Sequence, residues 1–487
     1  MECGEIVGLV GESGSGKSMS ALAIAGLLSR HDMKKRGTIR FEGKDILDCP
    51  RSELRDLQGD EICMIFQEPL TSLNPVKKIG WQVEESLKIH TQMTPLERKE
   101  RALKALADVE LDDPERVYDS YPHELSGGMR QRVMIAAATI GNPKLLIADE
   151  PTTALDVTVQ SQIVELLKKI NKEKNTAILF ISHDLSLVSQ LCHRVLVMKN
   201  GYVVEAGDVK TIFESPKEEY TKKLISAIPK CEKVKDDTDD IENMVEVRDV
   251  CVSFTRKNGR KKETVDVLKH VSIDIREGEI LGLVGESGCG KSTLAKTIIG
   301  LQKPDSGTIT QKYPNTQMIF QDPYGSLNPA RKVGLIMEEP IRNLTDMSPE
   351  DRRRLAEEMI TKVGLGVEYL SRYPSELSGG QRQRVCIATA LMLRPRLIIA
   401  DEPVSALDVT IQAEVLKLMD KLHKDMGISF LFISHDLRVV HQMCDRILVM
   451  KSGVIVEQGY RSEIYEHPKH EYTKELLKSA GLTNISV

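Results

Sequence analysis

The stretch GEIVGLVGESGSGKS, Gly4 to Ser18, returns as GEILGLVGESGCGKS, Gly278 to Ser292. In both, an apolar run of strand character feeds G-x-x-x-x-G-K-S and then a helical pattern, the setting that gives this motif physical meaning. Gly11, Gly14 and Gly16, and likewise Gly285, Gly288 and Gly290, let successive backbone N–H groups wrap an anion. The helix that follows aims its positive end at the same point. Lys17 and Lys291 are expected on the β- and γ-phosphates of a nucleotide, and Ser18 and Ser292 on Mg²⁺.

Working outward, YPHELSGGMRQRV from Tyr121 returns from Tyr373, LLIADEPTTALDVTVQ from Leu145 as LIIADEPVSALDVTIQ from Leu397, and ISHDL from Ile181 at Ile433. These three recur 252 residues on, against 274 for the first stretch, so the second copy is shorter by 22 residues after its first landmark. The stretch Arg40 to Ile62 has only a short counterpart there. A period this long is a duplicated domain rather than a solenoid. Between the copies, KCEKVKDDTDDIEN has the composition of a linker. The expected organisation is therefore a first domain over 1–229, a charged linker over 230–243 and a second domain over 244–487. The second copy opens with MVEVRDVCVSF and VLKHVSIDI, two strands around a polar turn. The first begins three residues before Gly4 and lacks them, which reads as an N-terminal truncation or a start codon placed downstream of the true one.

Composition bounds the rest. With 487 residues, 41% hydrophobic and 29% charged, the chain supports ordinary α/β cores and excludes wholesale disorder and fibrous repeats. A net charge of −5 gives no field for bulk nucleic-acid binding. No apolar run reaches the roughly 18 residues of a membrane span, and no secretory signal opens the chain, so the cytosol is the expected compartment. Nine cysteines stand singly, without C-x-x-C spacing, and read as mostly reduced, buried, small apolar residues.

LLIAD and LIIAD are buried parallel strands ending in Asp149-Glu150 and Asp401-Glu402. A carboxylate at the end of a buried strand is costly unless it meets a cation, so each Asp fits the Mg²⁺ shell. The adjacent Glu, on the other side of the strand, fits a base that orients water. Ser126-Gly127-Gly128 and Ser378-Gly379-Gly380 each open a helix, with Ser at the N-cap and exposed glycine amides behind it as a second anion site. Two phosphate sites per copy are too many for one nucleotide each.

Together these motifs resemble a pair of ATP-binding cassette (ABC) ATPases over essentially the whole chain. The resemblance implies an α/β fold of two tandem P-loop NTPase domains. Each has a RecA-like core, a helical subdomain and a small antiparallel β region, the last truncated in the first copy. It also implies Q-loop residues Gln67 and Gln321, further Mg²⁺ ligands beside Ser18, Asp149, Ser292 and Asp401. D-loop residues Asp156 and Asp408, and switch histidines His183 and His435 beside catalytic Glu150 and Glu402, follow in the same way. In that family two cassettes pack head to tail. One ATP site would join Lys17, Ser18, Gln67, Asp149, Glu150 and His183 to Ser378, Gly379, Gly380 and Gln381. The other would join Lys291, Ser292, Gln321, Asp401, Glu402 and His435 to the stretch from Ser126 to Met129. Met129 stands where the family has Gln, with a modest effect expected. Phe254 is the candidate to stack on adenine, with no counterpart in the first copy. Cys289, at a helix N-terminus, has either a lowered thiol pKa or the plainer role of a small residue that fits.

The runs FQEPLTSLNP from Phe66 and FQDPYGSLNP from Phe320, with tails of the pattern P-x-x-x-Y-T-x-x-L, resemble the peptide and nickel importer branch. This implies a subunit at the cytoplasmic face of the cell membrane, using ATP and Mg²⁺ to drive import of peptides, glutathione or nickel. Its implied partners are two transmembrane permease subunits and an extracytoplasmic substrate-binding protein. The helical regions after Gln67 and Gln321 would receive the permeases, and no nucleic acid is implied. The alternative is a twin-cassette translation factor acting on the ribosome, whose linker is a long basic arm where this one is short and acidic.

Overall fold

The computed structural model describes residues 1–28, 35–67, 72–153, 155–229, 242–258, 261–405 and 407–482. Most of the charged run 230–243 lies outside them, and Asn243 already opens a strand. The chain divides into two compact units, Met1–Leu155 with Val159–Ile228, and Asp156–Thr158 with Pro229–Val487.

Each unit is built on a six-stranded sheet. In the first the order is Ile62–Ile65, Leu145–Asp149, Ala177–Ile181, Ile6–Val10, Arg194–Lys199, Tyr202–Asp208. The first five run parallel and the last pair antiparallel. The second unit repeats this with Gln317–Ile319, Leu397–Asp401, Ser429–Ile433, Ile280–Val284, Arg446–Lys451 and Val454–Tyr460. Ile6–Val10, Leu145–Asp149 and Ala177–Ile181 are buried at every position, because a parallel strand covered on both faces has no solvent side. One face carries a cluster that includes Ile65, Val133, Ile163 and Phe180, joining the sheet to the helical region between 79 and 139.

The other face differs between the units. In the second, strands Asn243–Asn258 and Lys261–Arg276 pair antiparallel, and Ser306–Gln311 adds a third strand beside the first. Their inward residues Val247, Val252, Leu268 and Ile273 pack with Leu281, Leu283 and Leu294. The two strands expected from sequence are thus present and longer than the quoted runs, and the third was not foreseen. Among the described residues of the first unit, the antiparallel element is a two-strand pair, Arg40–Phe41 with Lys44–Asp45. Ser20 stands where the second unit has fully buried Leu294, and Met19 is 42% exposed. The extra residues of the first copy also form helix Arg51–Leu57, which packs Leu54 and Leu57 onto this face.

The second unit buries an ionisable group, His441, where the first has Ser189. His441, on helix Leu437–Met443, sits edge-on to Tyr465 at 4.6 Å, and its carbonyl accepts from Arg461 at 2.9 Å. Burial, and then the Arg461 charge, push its imidazole down to about 4. The folded state therefore holds it neutral, while the unfolded chain takes a proton below its usual value of about 6.5. Stability from this site is complete above that value and drains away as the pH falls toward about 4. Melting temperature should fall more steeply between pH 6.5 and pH 4.5 in the native chain than in His441→Leu; equal slopes would exclude His441 as the cause.

Candidate functional site

Four segments leave the carboxyl ends of four adjacent parallel strands in each unit, the position where open α/β sheets bind ligands. In the first, Val10 leads to the glycine-rich loop, Ile65 to Gln67, Asp149 to Glu150, and Ile181 to His183. In the second, Val284, Ile319, Asp401 and Ile433 lead to the corresponding residues. Residues far apart in sequence meet because neighbouring strands end together.

The loops are closed on themselves. The Lys17 ammonium donates to the carbonyls of Gly11 at 2.7 Å and Glu12 at 2.9 Å, and Lys291 does the same to Gly285 and Glu286 at 2.7 and 2.9 Å. Gly16 and Gly290, in left-handed backbone at φ 102° and 113°, start the helices Lys17–Ile24 and Lys291–Ile298. A Cβ added to Gly14 or Gly288 meets nothing within 4 Å, so both loops leave open room on the side an anion approaches.

Glu150 and Glu402 adopt φ 47° and 49°, a conformation that carries a strain of about 1–3 kcal/mol in a residue with a side chain. Strand alternation had been expected to aim the Glu; instead this left-handed residue lies one position past the strand and is held by a bond from its N–H to Ile181 or Ile433, 2.9 Å each. Glu402 accepts from Gln321 at 2.8 Å and lies 3.3 Å from His435 Nδ1. Glu150 accepts from Gln67 at 2.9 Å and from Thr153 Oγ1 at 2.9 Å, and lies 3.2 Å from His183 Nδ1. Burial alone would raise both carboxyls, but hydrogen bonds and charge from His183 and His435 outweigh it and hold both low. Burial would likewise lower His435, and its pairing with Glu402 outweighs that and raises it.

The aspartates behave oppositely. Burial pushes Asp149 and Asp401 up, against the pull of Ser18 and Ser292. Ser18 Oγ lies 3.2 Å from Asp149 Oδ1, and buried Asp401 Oδ1 has no hydrogen-bond partner. Hard oxygen donors around an unsatisfied buried carboxylate suit Mg²⁺. Among the described residues no cluster of three or more His, Cys, Asp or Glu is placed to hold a metal. The donor set thus fits an ion shared with phosphate oxygens rather than a protein-only cage.

The signature stretches sit at helix starts as expected. Ser126 and Ser378 are exposed N-caps that accept from Met129 and Gln381 N–H, 3.3 Å each. The second glycines are not free donors on an open surface: Gly380 is buried, and an added Cβ would stand 2.4 Å from Ile411, as one on Gly128 would stand 2.9 Å from Val159. Gln381 accepts from Ser378 N–H at 2.9 Å and donates to Tyr369 at 3.2 Å. Met129 can form neither bond, so the substitution loosens one helix cap and leaves the serine in place. Asp408 is the N-cap of helix Val409–Met426, and Asp156 immediately precedes helix Val157–Lys174. Phe254 lies on strand Asn243–Asn258 opposite Val265 and is 44% exposed, free to offer a ring face.

Of the two readings of Cys289, the plainer one, a small residue that fits, agrees with its surroundings. Its thiol is buried, which raises its pKa despite the nearby Lys291 charge, and it fills the place of Ser15, whose buried hydroxyl has no partner. A position that uses no hydroxyl loses nothing with sulfur. Of the eight described cysteines, all free, Cys63, Cys192, Cys289 and Cys444 are buried, whereas Cys3 is exposed and Cys49, Cys251 and Cys386 are half-buried, so burial is less general than expected.

Three supporting groups escaped the sequence reading. Thr153 and its counterpart Ser405, three residues after each Glu, place a hydroxyl on that Glu turn. Ser182 and Ser434 accept from the N–H of Asp184 and Asp436, which cap the next helix, so I-S-H-D-L is a turn that presents His. The tail tyrosines, taken only as family markers, reach the glycine-rich loops.

A duplicated parallel sheet with these residues at its strand ends defines a twin-cassette nucleotide-binding protein. The ABC transporter family model matches residues 1–153 and 268–405, and the C-terminal region of oligopeptide/dipeptide transporters matches 204–251 and 456–482. The chain is 44% identical, over 98% of its length and 91% of the relative's, to the peptidoglycan transport ATP-binding protein YejF of Agrobacterium fabrum. It is 40% identical, over 99% of its length and 85% of the relative's, to the glutathione import ATP-binding protein GsiA of Pectobacterium atrosepticum. An archaeal ribosome recycling factor, aABCE1, superposes with TM-score 0.65 over 99% of this chain and 89% of its own at 21% identity, a likeness of fold alone. The chain belongs to the ABC transporter ATP-binding proteins, in the branch that carries the oligopeptide/dipeptide transporter C-terminal region. It is an ATP-binding ATPase.

Proposed function

We propose that this ATPase powers import of peptides, with glutathione or nickel as related cargoes, through two separate permease subunits supplied by an extracytoplasmic binding protein. The observation that carries the reading is the oligopeptide/dipeptide transporter tail, which in both copies follows a glycine-rich loop, an Asp-Glu strand end and a His turn. No helix among the described residues is long and apolar enough to cross a membrane. In this reading the permeases carry out translocation and this chain works at the cytoplasmic face.

In each unit the glycine-rich loop and Lys17 or Lys291 hold the β- and γ-phosphates. Ser18, Gln67 and Asp149, or Ser292, Gln321 and Asp401, would hold Mg²⁺, which would supply charge compensation to those phosphates. Glu150 or Glu402, strained into position and kept ionised, accepts the proton of the water that attacks the γ-phosphorus, as the bond from that phosphorus to the bridging oxygen breaks and ADP leaves with the electron pair. His183 or His435, against the same carboxylate, orients it and meets the departing phosphate. Ser126 and Ser378, exposed at their helix starts, form second anion sites. Phe254 stacks on adenine, and Asp156 and Asp408 are the D-loop residues at the starts of their helices.

Affinity purification of the full chain from mildly solubilised native cells, with mass spectrometry of what copurifies, tests this. Recovery of two multi-spanning permeases is the expected result. Ribosomes without a permease would overturn it in favour of the translation-factor reading, for which only a shared fold speaks.

A further inference from the structure

The tail motif P-x-x-x-Y-T-x-x-L has a physical content that its role as a family marker does not exhaust. Tyr220 and Tyr472 enter helices Glu219–Ser226 and Glu471–Ser479 at their second position, and both rings are buried. The Tyr220 hydroxyl accepts from Glu12 N–H at 3.1 Å, and Tyr472 from Glu286 N–H at 3.0 Å. Glu12 and Glu286 are the second residues of the two glycine-rich loops. Each ring also lies under an ammonium, Lys199 at 4.7 Å and Lys451 at 4.4 Å from the centroids, a cation–π contact that sets the ring's position. Those lysines end strands Arg194–Lys199 and Arg446–Lys451, the same strands whose Met198 and Met450 carbonyls abut Gly11 and Gly285.

The start of each tail is anchored in its turn. Glu205 accepts from the N–H groups of Lys217 and Glu218 at 2.8 and 3.2 Å, and Glu457 from those of Lys469 and His470 at 2.7 and 3.0 Å. Thr473 also donates to Glu457. Burial would raise these two carboxyls, and the hydrogen bonds outweigh it and hold them low, as ionised anchors. The arrangement occurs twice in one chain although neighbouring tail residues differ, His470 standing for Glu218 and Glu475 for Lys223.

We propose that Tyr220 and Tyr472 are positioning residues for ATP binding, holding the glycine-rich loops in shape from the tail side. The peptide groups around Glu12 and Glu286 are pinned from both directions, N–H by tyrosine and C=O by lysine at 2.9 Å. A lysine that turns to nucleotide phosphates shares its three donors between them and those carbonyls, so more of the hold on the loop falls to the tyrosine and to the N–H groups of Ser15 and Cys289, which reach the same carbonyls at 3.2 and 3.3 Å. Loss of the tyrosine bond weighs more on the nucleotide-bound loop than on the empty one. The inference rests on the reading of these loops as the ATP cradles.

Tyr220→Phe and Tyr472→Phe keep the ring and remove only the hydroxyl. In the full chain, together, they are expected to raise the KM for ATP about 3- to 10-fold, the scale of one neutral hydrogen bond. The kcat should stay within about 2-fold, because the bond acts on the loop and not on the reacting atoms. The melting temperature without nucleotide should hold, and its rise with ATP should shrink. An unchanged KM, or a fall in nucleotide-free melting temperature with no change in KM, would overturn the proposal. Glu457→Gln, which weakens the tail anchor instead, should move KM in the same direction; no movement there and in the Phe variants would be decisive against it. Lys17→Ala with Lys291→Ala separates the two layers. Intact ATP binding in that double variant would sink the cradle reading itself, whereas lost binding beside silent Phe variants would sink only the role of tyrosine.

Discussion

Glu402→Gln is expected to leave ATP bound at its site and slow turnover there by about 10²- to 10⁴-fold, and Glu150→Gln with it to remove steady-state ATP hydrolysis. That range corresponds to about 3–5 kcal/mol of transition-state stabilisation. Glutamine keeps the shape and both contacts: its amide oxygen accepts from Gln321 as the carboxylate does at 2.8 Å, and its amide nitrogen faces His435 Nδ1, 3.3 Å from Glu402 in the native chain. Lost is the basicity that can take a proton from water. The strained backbone at φ 49° is common to both residues, so little stability should change. Rapid-quench measurement of phosphate release, beside equilibrium ATP binding, distinguishes a defect in hydrolysis from one in binding. Full turnover in the double variant would remove both glutamates from the chemistry.

Gly285→Ala should abolish nucleotide binding at the second loop and destabilise that unit by about 2–4 kcal/mol, through overpacking plus backbone strain. An added Cβ would stand 2.2 Å from the Met450 carbonyl oxygen and 2.9 Å from Cys289 Sγ. The carbonyl belongs to strand Arg446–Lys451, which is paired on both sides and cannot retreat, and φ of Gly285 is 154°. Relief must come from the loop, which carries the Gly285 carbonyl that Lys291 grips at 2.7 Å. Gly288→Ala is the contrast, since its Cβ meets nothing within 4 Å and only its φ of 80° resists, so its defect should be smaller. Chemical denaturation and ATP titration of the two variants would show the difference; equal and small effects would mean the loop is softer than its contacts imply.

Both predictions concern groups that the chain repeats in almost the same letters, and these were legible without coordinates. The glycine-rich loops, the Asp-Glu strand ends, the LSGG helix starts and the I-S-H-D-L turns are local signals, each fixed by spacing over fewer than ten residues. Their fold follows from the same local rules, because a buried five-residue apolar run between helices has few places to go but a parallel sheet. The open antiparallel region was legible in outline, as alternation in MVEVRDVCVSF and VLKHVSIDI predicts two strands. Its third strand, Ser306–Gln311, was not, since SGTITQ is half exposed and carries no apolar face to read.

By itself, then, the sequence determined the duplication, the sheet-forming runs and which residues are candidates for the reacting groups. Tertiary structure alone decided their state. Burial at the strand ends raises Asp149 and Asp401, while histidines brought by the neighbouring strand hold Glu150 and Glu402 low. Burial likewise raises the Cys289 thiol, which helix position alone would have lowered. The tail tyrosines met the glycine-rich loops across 208 and 186 residues of chain. Desolvation and long-range contact depend on what surrounds a residue in space, and no window of sequence contains that neighbourhood.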